Sequence, residues 1–142
     1  MIRRHFASFT DTRTHLRDVL DAARSGRVAT IARGGERFAV IDTDVLLAEL
    51  ALSRPSQAVV AAEGGGWSAF VPGIPTHGEG DTLDAAIDDL VDALRDYAED
   101  WNDHLLGAPN HHDNWAVVTL VELSSDDQLR TWILAPSATP VR

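Results

Sequence analysis

Three clusters in this sequence hold residue types that could do chemistry. His111, His112 and Asp113 stand together in a polar stretch, with Asp103 and His104 just upstream. Imidazole and carboxylate are metal ligands and proton carriers. Adjacent histidines in a loop point in different directions, however, and no HExxH, CxxC or carboxylate–histidine zinc spacing occurs. Asp84, Asp88 and Asp92 recur every fourth residue. Such a ladder would suit a two-metal nuclease if it faced inward, but a solvated helix face needs the same spacing. Gly64-Gly65-Gly66 lacks a following Lys-Ser/Thr and leads into a strand pattern, so it reads as a turn and not a phosphate loop. No catalytic residue, metal or cofactor is expected. The alternative is a small metal-dependent nucleic-acid hydrolase built from the acidic helix and the His111/His112 loop. It requires carboxylates that face inward.

Charge points to recognition. The net charge is −10. Residues 1–54 carry nine Arg against seven acids, a net of +2, and residues 55–142 carry three Arg against fifteen acids, a net of −12. The first part could approach a polyanion; the second would repel one and suit a basic partner. There is no cysteine, which excludes disulfides and thiolate chemistry and fits a cytoplasmic protein. No apolar run approaches the ~20 residues of a membrane span, and the N-terminus lacks the apolar stretch of a secretory signal.

The elements that must position these charges are organised around Asp81–Leu106. Leu83, Ile87, Leu90, Val91, Leu94, Tyr97, Ala98, Trp101 and Leu105 recur in steps of mostly three and four, which predicts a helix with one buried stripe. Asp84, Asp88, Asp89, Asp92, Asp96, Glu99, Asp100 and Asp103 fall on its back. Asp81 or Thr82 suits the N-cap, and Gly107 ends the helix. Upstream, residues 2–9 read as a strand or arm. A helix follows from Thr10 or Asp11 to Arg24, with Leu16, Val19, Leu20 and Ala23 as its stripe. Arg27–Ala32 and Arg37–Asp42 make a hairpin about Gly34-Gly35, and a helix starts at Asp44. Ser53–Ser56 reads as a linker. Downstream, Ala58–Ala62 and Trp67–Val71 are strands about the triple glycine, and His77–Gly80 is a loop. Trp115–Leu123 is a strand, Ser124 or Ser125 caps a short helix, and the tail SATPVR is disordered. The fold class expected is α+β, a β-α-β-β-α module over 1–54 and a β-β-α-β module over 57–142. The first is too small for a self-sufficient core, so a dimer is expected.

Both modules resemble antitoxin families. Residues 10–50 resemble the Phd/YefM antitoxin domain in Arg13-x-x-Leu16-x-x-Val19-Leu20, Gly26-x-Val28-x-x-Ile31-x-Arg33-x-Gly35 and Ala39-Val40-Ile41. Ala32 departs from it, a hydroxyl residue being common there. Residues 57–106 resemble the HicB antitoxin fold in Gly65-Gly66-Trp67-x-Ala69-x-Val71-Pro72-Gly73 and His77-Gly78-x-Gly80-Asp81-Thr82-x-x-Ala85 before an amphipathic helix. The resemblance implies an antitoxin of a type II toxin–antitoxin system, not an enzyme. Its first module would form a homodimer or higher oligomer and bind operator DNA as a repressor. Its second module and tail would neutralise a toxin, a RelE-like or HicA-like ribonuclease.

The residues suited to these tasks follow from charge and burial. Arg3, Arg4, Arg13 and Arg17 lie on the arm and first helical turns, where arginine would bind phosphate and read guanine. Asp96 and Asp100 would face a basic toxin. Trp101 and Trp115 fall on apolar stripes and are expected in the core. Trp132, Ile133 and Leu134, near the terminus, are the expected interface residues.

Overall fold

The computed structural model describes residues 2–135. The tail expected to be disordered, 137–142, lies outside them. The chain divides into two compact units, Met1–Ala48 and Glu49–Arg142.

The first unit follows the expected β-α-β-β-α order. β1 (His5–Phe6) pairs parallel to β2 (Ala29–Arg33), which forms an antiparallel hairpin with β3 (Glu36–Val40). The Gly34-Gly35 turn closes it, with Gly34 at φ 60°. The expected single helix is broken. α1 (Phe9–Thr14) is capped by Ser8, whose hydroxyl accepts the Asp11 N–H at 3.0 Å, and His15 separates it from α2 (Leu16–Arg24). The break and the docking turn the apolar stripe. Val19, Ala22 and Ala23 are buried, while Leu16 and Leu20 are 54% and 55% exposed. Phe6, Val19, Ala22 and Ala29 make the core, with Ile31 and Val40 against it. α3 (Thr43–Ser53) starts where Asp42 Oδ1 accepts the Asp44 N–H at 2.8 Å, and it runs through the division between the units.

The second unit departs from the expected β-β-α-β order. β4 (Val59–Glu63) and β5 (Gly66–Phe70) form the expected hairpin, but His77–Gly80 is a third strand, β6, antiparallel to β5. Its sequence, HGEG, has no strand propensity. Its glycines serve the helix above. A Cβ on Gly78 would stand 2.4 Å from the Ala86 carbonyl oxygen and 2.5 Å from the Leu90 nitrogen, so helix backbone rests directly on strand backbone. That helix, α4 (Leu83–Asp100), is the expected organiser. Thr82 caps it by accepting the Ala85 N–H at 3.1 Å. Ala86, Ile87, Leu90, Val91, Leu94, Tyr97 and Ala98 are buried along it. Its last predicted turn is a π-turn, Trp101–Leu105.

The larger correction is Trp115–Leu123. This expected strand is a helix, α5. A short apolar run rich in β-branched residues fits either state. What decides is burial of Val117, Val118, Leu120 and Val121, the i, i+3, i+4 set that a helix lays against α4. α6 (Asp126–Leu134) follows, with a capping box between Ser125 and Gln128. A three-stranded sheet, α4 across it, and α5 and α6 against α4 therefore make up this unit.

Candidate interaction surfaces

The four arginines expected to meet DNA fall into two kinds. Arg4, Arg13 and Arg17 are exposed, and none makes an ion pair among the described residues. Arg13 and Arg17 stand on either side of the His15 break. Arg3 is engaged within the unit. It pairs with Asp11, donates from Nε to the His5 carbonyl at 3.1 Å, and stacks on Phe6 with its guanidinium carbon 4.5 Å from the ring centre. Asp11 also accepts the Ala7 N–H at 3.1 Å. Partial desolvation pushes the Asp11 carboxyl up. The Ala7 N–H, Arg3 and His15 outweigh it and hold the carboxyl below its ordinary range.

The acidic back of α4 is divided as well. Arg130 of α6 pairs with Asp84, at 3.0 Å, and with Asp88. Arg95 joins the other helices: it donates to the Val121 and Ser124 carbonyls at the end of α5 and to Asp126 in the first turn of α6. A cation at one helix C-terminus and an anion at the next N-terminus both suit the helix dipoles. Asp89 Oδ2 accepts the Glu79 N–H at 2.9 Å. Asp92, Asp96, Glu99, Asp100 and Asp103 remain exposed, with no ion pair among the described residues. At ~3.6 residues per turn, Glu99 and Asp92 lie next to the line of Arg95 and Asn102, and Asp96 lies farther round the helix. Asn102 on that line donates to Glu122 of α5. The outward side of α5 carries Glu122 and Trp115, which is 53% exposed.

Two tryptophans, Trp115 and Trp132, differ in burial from what the sequence suggests. Trp132 and Ile133 are 6% and 2% exposed. The Trp132 indole N–H donates to the Arg54 carbonyl at 2.8 Å, and the Ser56 hydroxyl donates to the Ile133 carbonyl at 3.1 Å. Both side chains anchor α6 in its own unit, because the helix turns them inward and leaves Leu134 half exposed. Trp101 is buried as expected, its indole N–H bound to the His111 carbonyl at 2.9 Å. Trp115 was hidden from sequence reasoning by the strand assignment. Read as a helix, the run leaves its first residue outside the buried set.

The inward-facing carboxylates that metal chemistry requires are not formed. The acids of α4 are exposed, and among the described residues no three His, Asp or Glu side chains gather as ligands. His111 Nδ1 lies 2.8 Å from the Tyr97 hydroxyl, which also accepts the Asn114 amide N–H at 2.8 Å. His112 contacts only its neighbour Asp113, at 3.4 Å. No described helix is long and apolar enough to cross a membrane.

Known proteins agree with a recognition role. Residues 2–134 match the PHD-like family model, described as antitoxin of toxin–antitoxin, RelE/RelB, TA system. The fold is similar to a crystal structure of an antitoxin part of a putative toxin/antitoxin system from Syntrophomonas wolfei subsp. wolfei. The TM-score is 0.74 at 17% identity, over 91% of this chain and 95% of that one. No curated protein sequence matches. Because the family match runs through nearly every described residue of both units, the chain belongs to the PHD-like antitoxins of toxin–antitoxin systems.

Proposed function

We propose that the second unit neutralises a basic, RNA-cleaving toxin by covering it, and that the first unit forms a homodimer that binds operator DNA and represses its own operon. The observation that carries the toxin reading is the solvent-facing set of Asp92, Asp96, Glu99 and Asp100 on α4, in a unit that also exposes Trp115 on α5. An acidic surface steers and masks a cationic active site, and an exposed tryptophan of the same unit would supply the desolvated anchor that charge alone lacks. Asp96, Asp100 and Leu134 remain in the proposed contact set, and Trp115 joins them. Trp132 and Ile133 act by holding α6 in place. No bond is made or broken, so the chain is not an enzyme in this reading. The Phd/YefM-like and HicB-like character of the two modules belongs to the same proposal, as do a RelE-like or HicA-like partner and a cytoplasmic setting.

The DNA reading rests on Arg4, Arg13 and Arg17, exposed on a unit whose small core leaves Leu16 and Leu20 uncovered. A two-fold partner would cover them and duplicate the arginines for a palindromic site.

Co-expression with the product of the adjoining reading frame tests the toxin reading. The neighbour alone should arrest growth, this chain should relieve the arrest, and the two should elute together. Changing Asp96 and Asp100 to Lys should slow association about tenfold at low salt, with the difference shrinking as salt rises. A harmless neighbour that never co-purifies would sink the reading.

A further inference from the structure

One carboxylate in the first unit gathers the segments that carry the exposed arginines. Asp11 Oδ2 takes both the Arg3 guanidinium and the Ala7 N–H, the latter at 3.1 Å. Arg3 precedes β1, and Ala7 lies between β1 and α1. On the other side, His15 Nδ1 stands 3.0 Å from the Asp11 carbonyl oxygen and 3.1 Å from its Oδ1. His15 is the break between α1 and α2. The middle of the arm is held by the buried Phe6 side chain, by His5 Nδ1 at 2.7 Å from the Thr30 hydroxyl and by the Thr30 N–H, which donates to the Arg4 carbonyl at 2.6 Å, but β1 itself is two residues long.

We propose that Asp11 is the positioning residue of the DNA-contacting surface, and that Arg3 is used inside the fold and makes no phosphate contact. Asp11 fixes Arg4 on the arm relative to Arg13 and Arg17 at the helix break. Contact with phosphate passes to those three. Arg3 serves as the arm's tether, with its guanidinium occupied by Asp11, the His5 carbonyl and the Phe6 ring. Buried Phe6 fixes the register of β1 but leaves the residues on either side to be ordered, each at ~1–2 kcal/mol of backbone entropy. Arg3, Ala7 and His15 bound to one carboxyl constrain those flanking residues. The inference rests on the DNA reading above for its functional half. Its structural half can be measured without DNA.

The test sets positioning against charge. Removing a negative charge from a DNA-binding surface should tighten binding if electrostatics alone acts. Asp11→Asn in the full chain is expected instead to weaken binding to the upstream DNA about tenfold, with the salt slope unchanged. Arg3→Ala should also weaken it with the slope unchanged, whereas Arg4→Ala should lower the slope by about one, as a lost phosphate contact does. In the DNA-free protein, the Thr30 amide of the Asp11→Asn variant should exchange faster than in the wild type. Tighter or unchanged binding by Asp11→Asn, or a slope reduced by about one in Arg3→Ala, overturns the proposal. If the wild type leaves the DNA unbound, the DNA reading fails, and unchanged Thr30 exchange then overturns the tether too.

Discussion

The two units bury their apolar surface to different degrees. In the second, α4 is wrapped: the sheet, α5 and α6 all pack on it, and Ala86, Ile87, Leu90, Val91, Leu94, Tyr97 and Ala98 are buried along it. Leu120 and Leu129 are 1% and 0% exposed there. In the first, the largest core side chain is Phe6, two of its partners are alanines, and Phe9, Leu16, Leu20 and Phe38 are 59%, 54%, 55% and 44% exposed. A unit that buries so little against itself has reason to bury more against a partner, while one that closes its core presents charge. The contrast ties the proposed roles to folding: association completes the first unit, and recognition decorates the second.

The largest effect should come from attacking the closed unit where backbone meets backbone. Gly78→Val places a branched side chain where even a Cβ would stand 2.4 Å from the Ala86 carbonyl oxygen. Neither partner is a flexible side-chain end, so unfolding followed by circular dichroism should lose the cooperative transition of the second unit. A variant that melts like the wild type would mean that α4 does not rest on β6.

Next comes the pair of tryptophans. Trp132→Ala should cost about 3–5 kcal/mol in urea unfolding, because it empties a buried site and orphans the Arg54 carbonyl. Trp115→Ala should change stability by only about 0.5 kcal/mol or less yet weaken the toxin complex about thirtyfold, the loss at an interface anchor. The reverse pattern would return Trp132 to the interface and erase the difference between a closed unit and its decoration.

The open unit should respond to charge where a core residue would respond to truncation. Leu20→Glu puts a carboxylate on the uncovered face of α2. Sedimentation should find the variant monomeric, and its melting temperature should no longer rise with concentration. If wild type and variant sediment alike, the exposed leucines are not completed by a second copy.

The smallest effect concerns acid. The folded-state carboxyl of Asp11 lies below its ordinary range. Its contribution is therefore complete above the unfolded value of about 3.9 and is lost as pH falls through the folded value. Exchange at Thr30 should quicken below about pH 4 in the wild type, with Asp11→Asn showing no such step.

The sequence disclosed what had a period and a cap. Leu83 to Trp101 repeats at helical spacing behind Thr82, so α4 was legible nearly end to end. The Gly34-Gly35 and Gly64-Gly65 hairpins were legible because paired glycines between strand patterns have few other uses. What failed had its cause elsewhere in the fold. HGEG becomes a strand because β5 and α4 need backbone without side chains there. WAVVTLVEL becomes a helix because α4 presents a flank and not a sheet edge. The expected burial of Trp115 failed for the same reason, since its side chain surfaces only on the helical reading. Arg3 counted as a free cation because nothing local announces that Asp11, eight residues on, will occupy it.

The glycines of the second unit also map where the molecule can carry a passenger. A Cβ on Gly64 or Gly65 would meet nothing within 4 Å, and both sit at the tip of the β4–β5 turn. Sixteen residues from Gly64, a Cβ on Gly80 would stand 2.6 Å from the Ala85 Cβ and the Ala86 nitrogen, and only Asp81 and Thr82 separate β6 from α4. A fluorophore or affinity tag spliced between Gly64 and Gly65 should ride on a folded protein. The same insert between Asp81 and Thr82 would pry the helix off its strand.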